Sequence, residues 1–357
     1  MAKTRKKVLF IIKQRFIYGE KTKAYGLYNS CDFVSRKLIE LGVDSKVVQV
    51  VDNNCIDKEV HAYKPTDVFI EALWVVPDKF KVLAKLHPNV TWHIRMHSKT
   101  PFIATEGNAF NWLNQYMSLC KEGIKIKLSA NSIDFFNDLK SIYGTKNVSY
   151  SPNLYYPSHD YDVSYNVPDI RTNSNEFHIG IFGALRPLKN HLQQALWSIQ
   201  FGKLIKRPIV VHINVSEHEA KSNTNGVANV LFNIRNLFSE EAENCRLYEH
   251  PWYSHSDFLG VVKQMDLGLQ VSYSETFNIT AADFVYMNVP IVVSDEIKFV
   301  NPFSRIDPNS SKQAMTAMMD SVRFGSLGLN YFNRYLLNKT NRKAVNSWKE
   351  LLDINNH

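Results

Sequence analysis

The stretch that decides the fold runs from Ser272 to Asp295 and has the sequence SYSETFNITAADFVYMNVPIVVSD. Its apolar and polar positions predict four consecutive segments: a strand end over 268–272, a polar turn over 273–278, a helix over 279–287 and a second strand over 291–293. Asn288 and Pro290 end the helix. Strand, helix and strand joined this closely predict a βαβ unit, whose turn opens at the carboxyl end of a parallel sheet, where ligands bind.

Two carboxylates lie at the start of this helix. Glu275 is in the turn, and Asp283 follows eight residues later, so both side chains can face one ligand. The backbone N–H groups near Phe277, Asn278 and Ile279 attract an anion, because a helix N-terminus carries partial positive charge. A nucleotide sugar offers hydroxyls to the acids and phosphate to the amides. The alternative is a pair of ordinary solvated acids.

This segment resembles the Glu-x7-Glu signature of the retaining, nucleotide-sugar-dependent glycosyltransferases with two Rossmann-like domains, the GT-B fold. The resemblance implies that Glu275 contacts the hydroxyls of the donor sugar and that Asp283 holds the ribose of the nucleotide. It also places Thr276, Phe277 and Asn278 in the donor site. Asp283 departs from the family pattern, which has Glu there, and its reach to the ribose is shorter.

A second match follows the predicted strand Phe177–Phe182, in the sequence GALRPLKNH. The family carries an Arg and a Lys three residues apart at this point, which implies that Arg186 and Lys189 bind the diphosphate. Breaking the sugar–phosphate bond leaves charge on the diphosphate that fixed cations stabilise. Gly183, which ends the strand, belongs to the same predicted donor site.

The resemblance implies roles for four more residues. His97 ends an apolar strand, where the family has a His near the donor sugar and the incoming hydroxyl. The alternative is that His93 and His97 are simply hydrogen-bonded within the protein. His250 and Trp252 follow a later strand and are expected near the nucleobase. The family's Gly-Gly pair after the first strand is missing here, and Gly19 is the glycine of that loop.

Length and composition predict an α/β chain. Its 357 residues, 45% of them apolar, suffice for two cores. The resemblance implies two Rossmann-like domains facing across a cleft and a C-terminal helix that crosses back to the first domain. The predicted boundaries are 1–155 for acceptor binding, 156–176 for a linker, 177–330 for donor binding and 331–357 for the helix.

The sequence also bears on location and cofactors. No apolar run is long enough to span a bilayer, and the basic N-terminus lacks the apolar segment of a signal peptide. The four cysteines have neither pairing nor metal-ligand spacing, which favours reduced thiols in the cytoplasm, the host cytoplasm if the chain is phage-encoded. We expect no metal and no cofactor besides the donor substrate. The Asp160-Tyr161-Asp162 triplet lies in the linker and is taken as coincidence.

The net charge of +8 is concentrated in the first half, where residues 1–170 hold 23 Lys/Arg against 17 Asp/Glu. Such an excess steers polyanions but also serves solubility. The cations expected to bind an acceptor are Lys13, Arg15, Lys21, Lys23, Arg95 and Lys99. The alternative for the first four is that they bind the donor phosphate in place of the missing Gly-Gly pair.

Together these features predict transfer of a sugar from a nucleotide diphosphate, with UDP the expected nucleotide, to a hydroxyl with retention of configuration. The favoured acceptor is a hydroxymethylated pyrimidine in double-stranded DNA, as for bacteriophage DNA glycosyltransferases. A second hypothesis is transfer to a cell-surface glycan, lipid-linked sugar or protein, which would favour an exposed amphipathic basic helix. The third is a nucleotide-sugar or DNA-binding module without turnover.

Overall fold

The computed structural model describes residues 6–17, 20–22, 25–157, 167–171, 173–215, 227–240 and 244–354. The predicted site residues Gly19 and Lys23 and the triplet 160–162 lie outside these ranges. The chain divides into two units, the first comprising Met1–Pro157 with Asn341–His357 and the second Ser158–Thr340.

The first unit alternates strands and helices. In chain order its elements are β1 Lys7–Lys13, β2 Arg15–Ile17, β3 Glu20–Thr22, α1 Tyr25–Glu40, β4 Asp44–Val50, α2 Ile56–Tyr63, β5 Asp67–Glu71, α3 Lys79–Leu86, β6 Thr91–Met96, α4 Thr100–Ile103, α5 Ala109–Lys121, β7 Ile126–Ala130, α6 Ile133–Tyr143 and β8 Val148–Tyr150.

Six of these strands form a parallel sheet in the order β4-β1-β5-β6-β7-β8, and β2 pairs with β3 in a separate antiparallel hairpin. In this sheet Phe10 of β1 pairs with Val47 of β4 and Phe69 of β5. Residues 8–12 of β1 and all of β5 are buried, because the helices cover both faces of a parallel sheet.

The second unit has the same alternation. Its elements are β9 Phe177–Gly180, a 3-10 turn Pro187–Lys189, α7 His191–Ile205, β10 Ile209–Asn214, α8 Val227–Glu240, β11 Cys245–His250, α9 His255–Val262, β12 Leu267–Gln270, α10 Ile279–Tyr286, β13 Ile291–Ser294, a 3-10 turn Pro302–Ser304, β14 Arg305–Ile306, α11 Ser311–Phe324, a π-helical turn Gly325–Leu329 and α12 Asn330–Leu351.

The second sheet is parallel, in the order β11-β10-β9-β12-β13-β14. The strand order reverses between β9 and β12, and ligands of doubly wound sheets bind at the carboxyl ends of the strands beside such a reversal. Helix α10 packs closely over both strands there. A Cβ atom at Gly180 or Gly268 would lie 2.7 or 2.6 Å from the Phe284 ring, so glycine is required at both positions.

The C-terminal part of α12 belongs to the first unit, which confirms the predicted packing of this helix on the first domain. Trp348 is 1% exposed and its indole N–H donates to the carbonyl of Pro152 at 2.8 Å. Its ring lies 5.9 Å from that of Phe10 and 5.1 Å from that of Phe69. No helix in the described ranges has the length and hydropathy needed to cross a membrane.

Candidate active site

The loops after β9 and β12 meet at the strand reversal of the second unit. In the first loop, Gly183 has a φ of +112°, a backbone conformation that residues other than glycine rarely adopt. Its N–H donates to the Asn214 side chain at 3.1 Å. A Cβ atom there would lie 3.9 Å from the Thr280 hydroxyl, so this loop reaches the N-terminus of α10. The predicted phosphate-binding glycine therefore lies beside the predicted anion-binding helix end.

The turn that carries Lys189 is fixed to the end of β12. The Tyr273 N–H donates to the carbonyl of Leu188 at 2.9 Å. Gln194 donates to the Lys189 carbonyl at 2.8 Å and accepts the Val271 N–H at 2.8 Å. These bonds cross between two loops, so the backbone of Lys189 is held in place before any ligand binds.

The side chain of Lys189 contacts Glu275, and this ion pair joins the two sequence motifs. The Glu275 side chain is 7% exposed and that of Lys189 is 28% exposed. The same Glu275 oxygen, Oε1, also accepts the Ser272 hydroxyl at 2.8 Å and the Asn278 amide at 3.0 Å. Three donors on one oxygen hold the carboxylate in one orientation.

Asn278 shapes the start of α10. Its φ is +64°, and its side-chain oxygen caps the helix by accepting the Ala281 N–H at 2.8 Å. Its amide nitrogen donates to Gln270 at 2.9 Å as well as to Glu275. One side chain thus links the helix N-terminus, the end of β12 and the carboxylate.

Neighbouring predicted donor residues differ in their exposure. Thr276 and Arg186 are half-buried, and Arg186 precedes the 3-10 turn that ends at Lys189. Phe277 is 8% exposed, and its ring lies 5.1 Å from that of Phe299. The side chain of Phe277 therefore packs within the protein, which leaves its backbone as the group to meet a donor.

Asp283 lies on α10 and is only 2% exposed. Its Oδ1 atom lies 2.8 Å from Nε2 of His255, the first residue of α9, which is also buried. His255 is thus a partner that the sequence did not reveal, because no local pattern links two residues 28 positions apart. The assignment of Asp283 to the ribose remains a prediction, with His255 as the residue that orients the carboxylate.

His250, predicted with Trp252 to lie near the nucleobase, has a buried side chain. His250 is 1% exposed, and its two ring nitrogens face His212 at 2.8 Å and the Tyr253 hydroxyl at 3.3 Å. His212 in turn lies 2.9 Å from His178, so three imidazoles form a chain across β9, β10 and β11. Burial lowers the pKa of His250 to about 4, and it lowers the pKa of His212 well below its usual value. These neutral rings form hydrogen bonds with one another, so the side chain of His250 does not face a nucleobase.

Trp252 follows β11 in the same loop and is half-buried. Its predicted position near the nucleobase remains a prediction. Among the described residues, no group of three or more His, Cys, Asp or Glu side chains is arranged to hold a metal ion.

In the first unit, His97 follows β6 and is held on both sides. The Asn131 amide donates to its Nδ1 atom at 3.2 Å, so the proton lies on Nε2, which contacts Glu71. Burial lowers the pKa of His97, and the ring is neutral. The catalytic role of His97 remains a prediction, and Glu71, at the end of β5, is a partner that the sequence did not reveal.

The prediction that Arg95 binds an acceptor is wrong, because its side chain is completely buried. Its guanidinium donates to both Glu71 oxygens at 3.2 and 3.3 Å and to Asn153 at 2.6 Å. It also lies 5.3 Å from the Trp348 ring. Burial alone would raise the pKa of Glu71, but the charge of Arg95 lowers it overall. The pair is a structural element of the first core.

The other cations predicted to bind an acceptor differ in their exposure and contacts. Lys13 ends β1 and is exposed, whereas Lys99 precedes α4 and forms a 2.6 Å ion pair with Asp134. Arg15 and Lys21 lie in the β2–β3 hairpin, and their side chains lie outside the described part of the structure.

No protein-family model and no curated protein matches the sequence. Solved structures do match the fold. One is an alpha,alpha-trehalose 6-phosphate synthase from Burkholderia multivorans, with a TM-score of 0.68, 9% identity and coverage of 98% of this chain and 96% of that one. Another is a UDP-forming synthase of the same kind from Burkholderia xenovorans, with a TM-score of 0.67, 10% identity and coverage of 85% and 77%.

A third match is an E. coli structure described as trehalose-6-phosphate bound with UDP-2-fluoro glucose, with a TM-score of 0.65, 11% identity and coverage of 97% and 98%. At these identities the likeness concerns the fold. The two parallel sheets and their connecting helices confirm the predicted fold class, and the chain has the two-domain α/β GT-B fold of these glycosyltransferases.

Proposed function

We propose that this protein is a glycosyltransferase that moves a sugar from a nucleotide diphosphate to an acceptor hydroxyl with retention of configuration. The observation that carries the proposal is the contact between Lys189 and Glu275 at the N-terminus of α10. Their loops follow β9 and β12, the two strands at the reversal of the sheet, where this class of fold binds nucleotides.

The donor diphosphate is proposed to lie against Lys189, Arg186 and the start of α10. A diphosphate offers Lys189 a doubly charged partner in place of the single carboxylate that it contacts in the ligand-free protein. The backbone at Gly183, where no side chain obstructs approach, would lie along the phosphates. The names of the similar structures support UDP as the nucleotide.

The sugar is proposed to lie against Glu275, whose carboxylate accepts hydrogen bonds from hydroxyls. The bond between the anomeric carbon and the diphosphate oxygen breaks, and the electron pair leaves with the diphosphate. The acceptor oxygen then bonds to the same face of the carbon, while its proton passes to a phosphate oxygen of the leaving group. Lys189 and Arg186 stabilise the charge that develops there.

Asp283 and His255 are proposed to hold the ribose. An aspartate reaches less far than the glutamate of the resembling signature, and the 2.8 Å contact with His255 fixes the direction of the shorter side chain. Because hydroxyl recognition depends on such fixed acceptors, a His255→Ala variant should raise the KM for the donor more than it lowers kcat.

The acceptor proposed from the sequence is a hydroxymethylated pyrimidine in DNA. Its support is the net charge of +8 and the exposed Lys13, while Arg95 no longer contributes and Lys99 is paired with Asp134. Acceptors to compare with it are phosphorylated sugars, suggested by the names of the similar structures, and lipid-linked sugars.

The test is nucleotide release from a panel of UDP-sugars and other nucleotide sugars, with each acceptor class added in turn. We expect release with one donor, and its loss in Lys189→Met and Glu275→Gln. Lys298→Met is the matched control, because Lys298 forms an exposed ion pair with Asp295 in the same unit. Donor binding without turnover for every acceptor would favour a binding module, and absence of donor binding would refute the proposal.

A further inference from the structure

A cluster of large apolar side chains is exposed where α11 passes into α12. Of the twenty such side chains exposed in the described ranges, seven lie within residues 319–335. We call this surface the 324–335 patch and define it by its five main members: Phe324, Leu327, Tyr331, Phe332 and Tyr335, with exposures of 41%, 77%, 63%, 44% and 53%. Singly exposed apolar residues are ordinary, but a contiguous group marks an interaction surface.

The exposure of the patch does not result from loose packing. The opposite side of the same segment is anchored to the second unit through Asn330, which donates to the carbonyl of Asn288 at 2.8 Å, and through Asn333, which accepts from Asn301 at 2.8 Å. Leu337 is also buried. The inner face of the segment is thus packed against the second unit, and the aromatic residues lie on the opposite, exposed face.

The members of the patch lie close together along the chain. Tyr331 and Tyr335 are four residues apart and so share one face of α12. The rings of Phe332 and Tyr335 lie 6.3 Å apart and are nearly parallel. Leu327 lies in the π-helical turn just before them, where Gly328 adopts a φ of +125° that lets the chain turn between the helices.

The charged residues within the segment 322–343 have one sign. Residues 322–343 contain five Lys/Arg and no Asp/Glu. Arg323, Arg334 and Lys339 are exposed, and the guanidinium of Arg323 lies 5.2 Å from the Phe324 ring. Aromatic and aliphatic side chains bordered by cations are the composition of segments that lie in the interface of an anionic bilayer.

We infer that the 324–335 patch docks the protein on the surface of an anionic phospholipid bilayer. A second copy of the chain fits less well, because a two-fold contact would bring the same cations together with no acid in the segment to oppose them. Nucleic acid fits less well because the most exposed member, Leu327, offers neither a ring for a base nor a charge for a phosphate. The inference is independent of the proposed reaction.

The experiment is co-sedimentation of the whole protein with vesicles of phosphatidylcholine alone or with about 30% phosphatidylglycerol. We expect binding to the anionic vesicles, weakened as NaCl rises from about 0.1 to about 0.5 M. Leu327→Glu and Arg323→Glu should each weaken it by about tenfold or more, since the first places a charge at the apolar tip and the second reverses an attraction.

Phe232→Glu is the matched control, because Phe232 is 66% exposed on α8 of the same unit, outside the patch. It should bind vesicles as the parent does, and circular dichroism should show every variant folded. Absence of vesicle binding, or equal binding by Leu327→Glu and the parent, would overturn the inference. So would a finding that Leu327→Glu instead abolishes self-association or DNA binding in a protein that ignores vesicles.

Discussion

Replacing Lys189 by Met tests the Lys189–Glu275 ion pair in both stability and activity. The variant keeps an unbranched side chain of similar length but leaves the Glu275 carboxylate, 7% exposed, with only the Ser272 and Asn278 hydrogen bonds. Removing one partner costs about 3–5 kcal/mol for a fully buried pair and about 0–1 kcal/mol for an exposed one. Because Lys189 is 28% exposed, we expect the free energy of unfolding to fall by about 2 kcal/mol.

The effect on turnover should be larger than the effect on stability. Removing a group that stabilises charge in the transition state lowers kcat by about 100- to 1,000-fold, or about 2.7–4 kcal/mol. Adding Glu275→Gln should restore about half of the lost stability, since the amide carries no charge, but none of the activity. A stable, inactive double variant would separate the two roles.

The assays are urea unfolding followed by tryptophan fluorescence and steady-state release of the nucleotide diphosphate. Lys298→Met, which breaks a pair between side chains that are 67% and 70% exposed, should change stability by less than about 0.5 kcal/mol and leave turnover unaltered. The reasoning fails if Lys189→Met is as stable and as active as this control.

Three further predictions concern residues around the two sheets. The pKa of His250 is lowered to about 4, so as the pH falls below about 6.5 this histidine takes up a proton in the unfolded chain before it does so in the folded protein. The free energy of unfolding should therefore drop by about 2 kcal/mol from pH 7 to pH 5, which urea unfolding at the two pH values checks. Arg95→Met leaves Glu71 buried without its cation and should cost about 3–5 kcal/mol by the same measurement, with a smaller loss when Glu71→Gln is added; equal losses would contradict the role of the ion pair. Gly183→Ala should lower the free energy of unfolding by about 1–3 kcal/mol because Gly183 has a φ of +112°. Gly26→Ala, in a helix with open space around it, should be neutral or stabilising in the same urea unfolding experiment.

The sequence predicted the positions of the Lys189 and Glu275 motifs in the fold because their information is local. Lys189 and Glu275 each stand in a short strand–turn–helix pattern, and the helix predicted over 279–287 is found at Ile279–Tyr286. The contact between Lys189 and Glu275 follows once both patterns are placed at the carboxyl ends of adjacent strands. A family resemblance and a parallel sheet were sufficient for this part of the fold and for bringing Lys189 and Glu275 together.

The errors have a common physical origin in strand burial. Arg95 was expected to bind an acceptor, but a parallel sheet covered by helices buries both faces of β6. The charge of Arg95 is balanced by Glu71, which lies 24 residues earlier on the neighbouring strand. Likewise, the contact of His250 with His212 depends on two strands pairing across the sheet, and no sequence window contains both residues.

The exposed apolar face at the start of α12 could not be predicted from the sequence. Leu327 and Tyr331 lie across a π-helical turn that periodicity analysis treats as a break. Only the three-dimensional course of the chain joins the end of α11 and the start of α12 into one surface.

The first unit cannot complete its interior early in translation. Trp348 fills the space beside Phe10 and Phe69, yet the ribosome makes residues Ser158–Thr340 before it reaches this tryptophan. The N-terminal sheet therefore lacks a buried side chain of its core until the second unit has been made. The core of the first unit is completed only when the C-terminal part of α12 packs against it, although most of that unit is synthesised first.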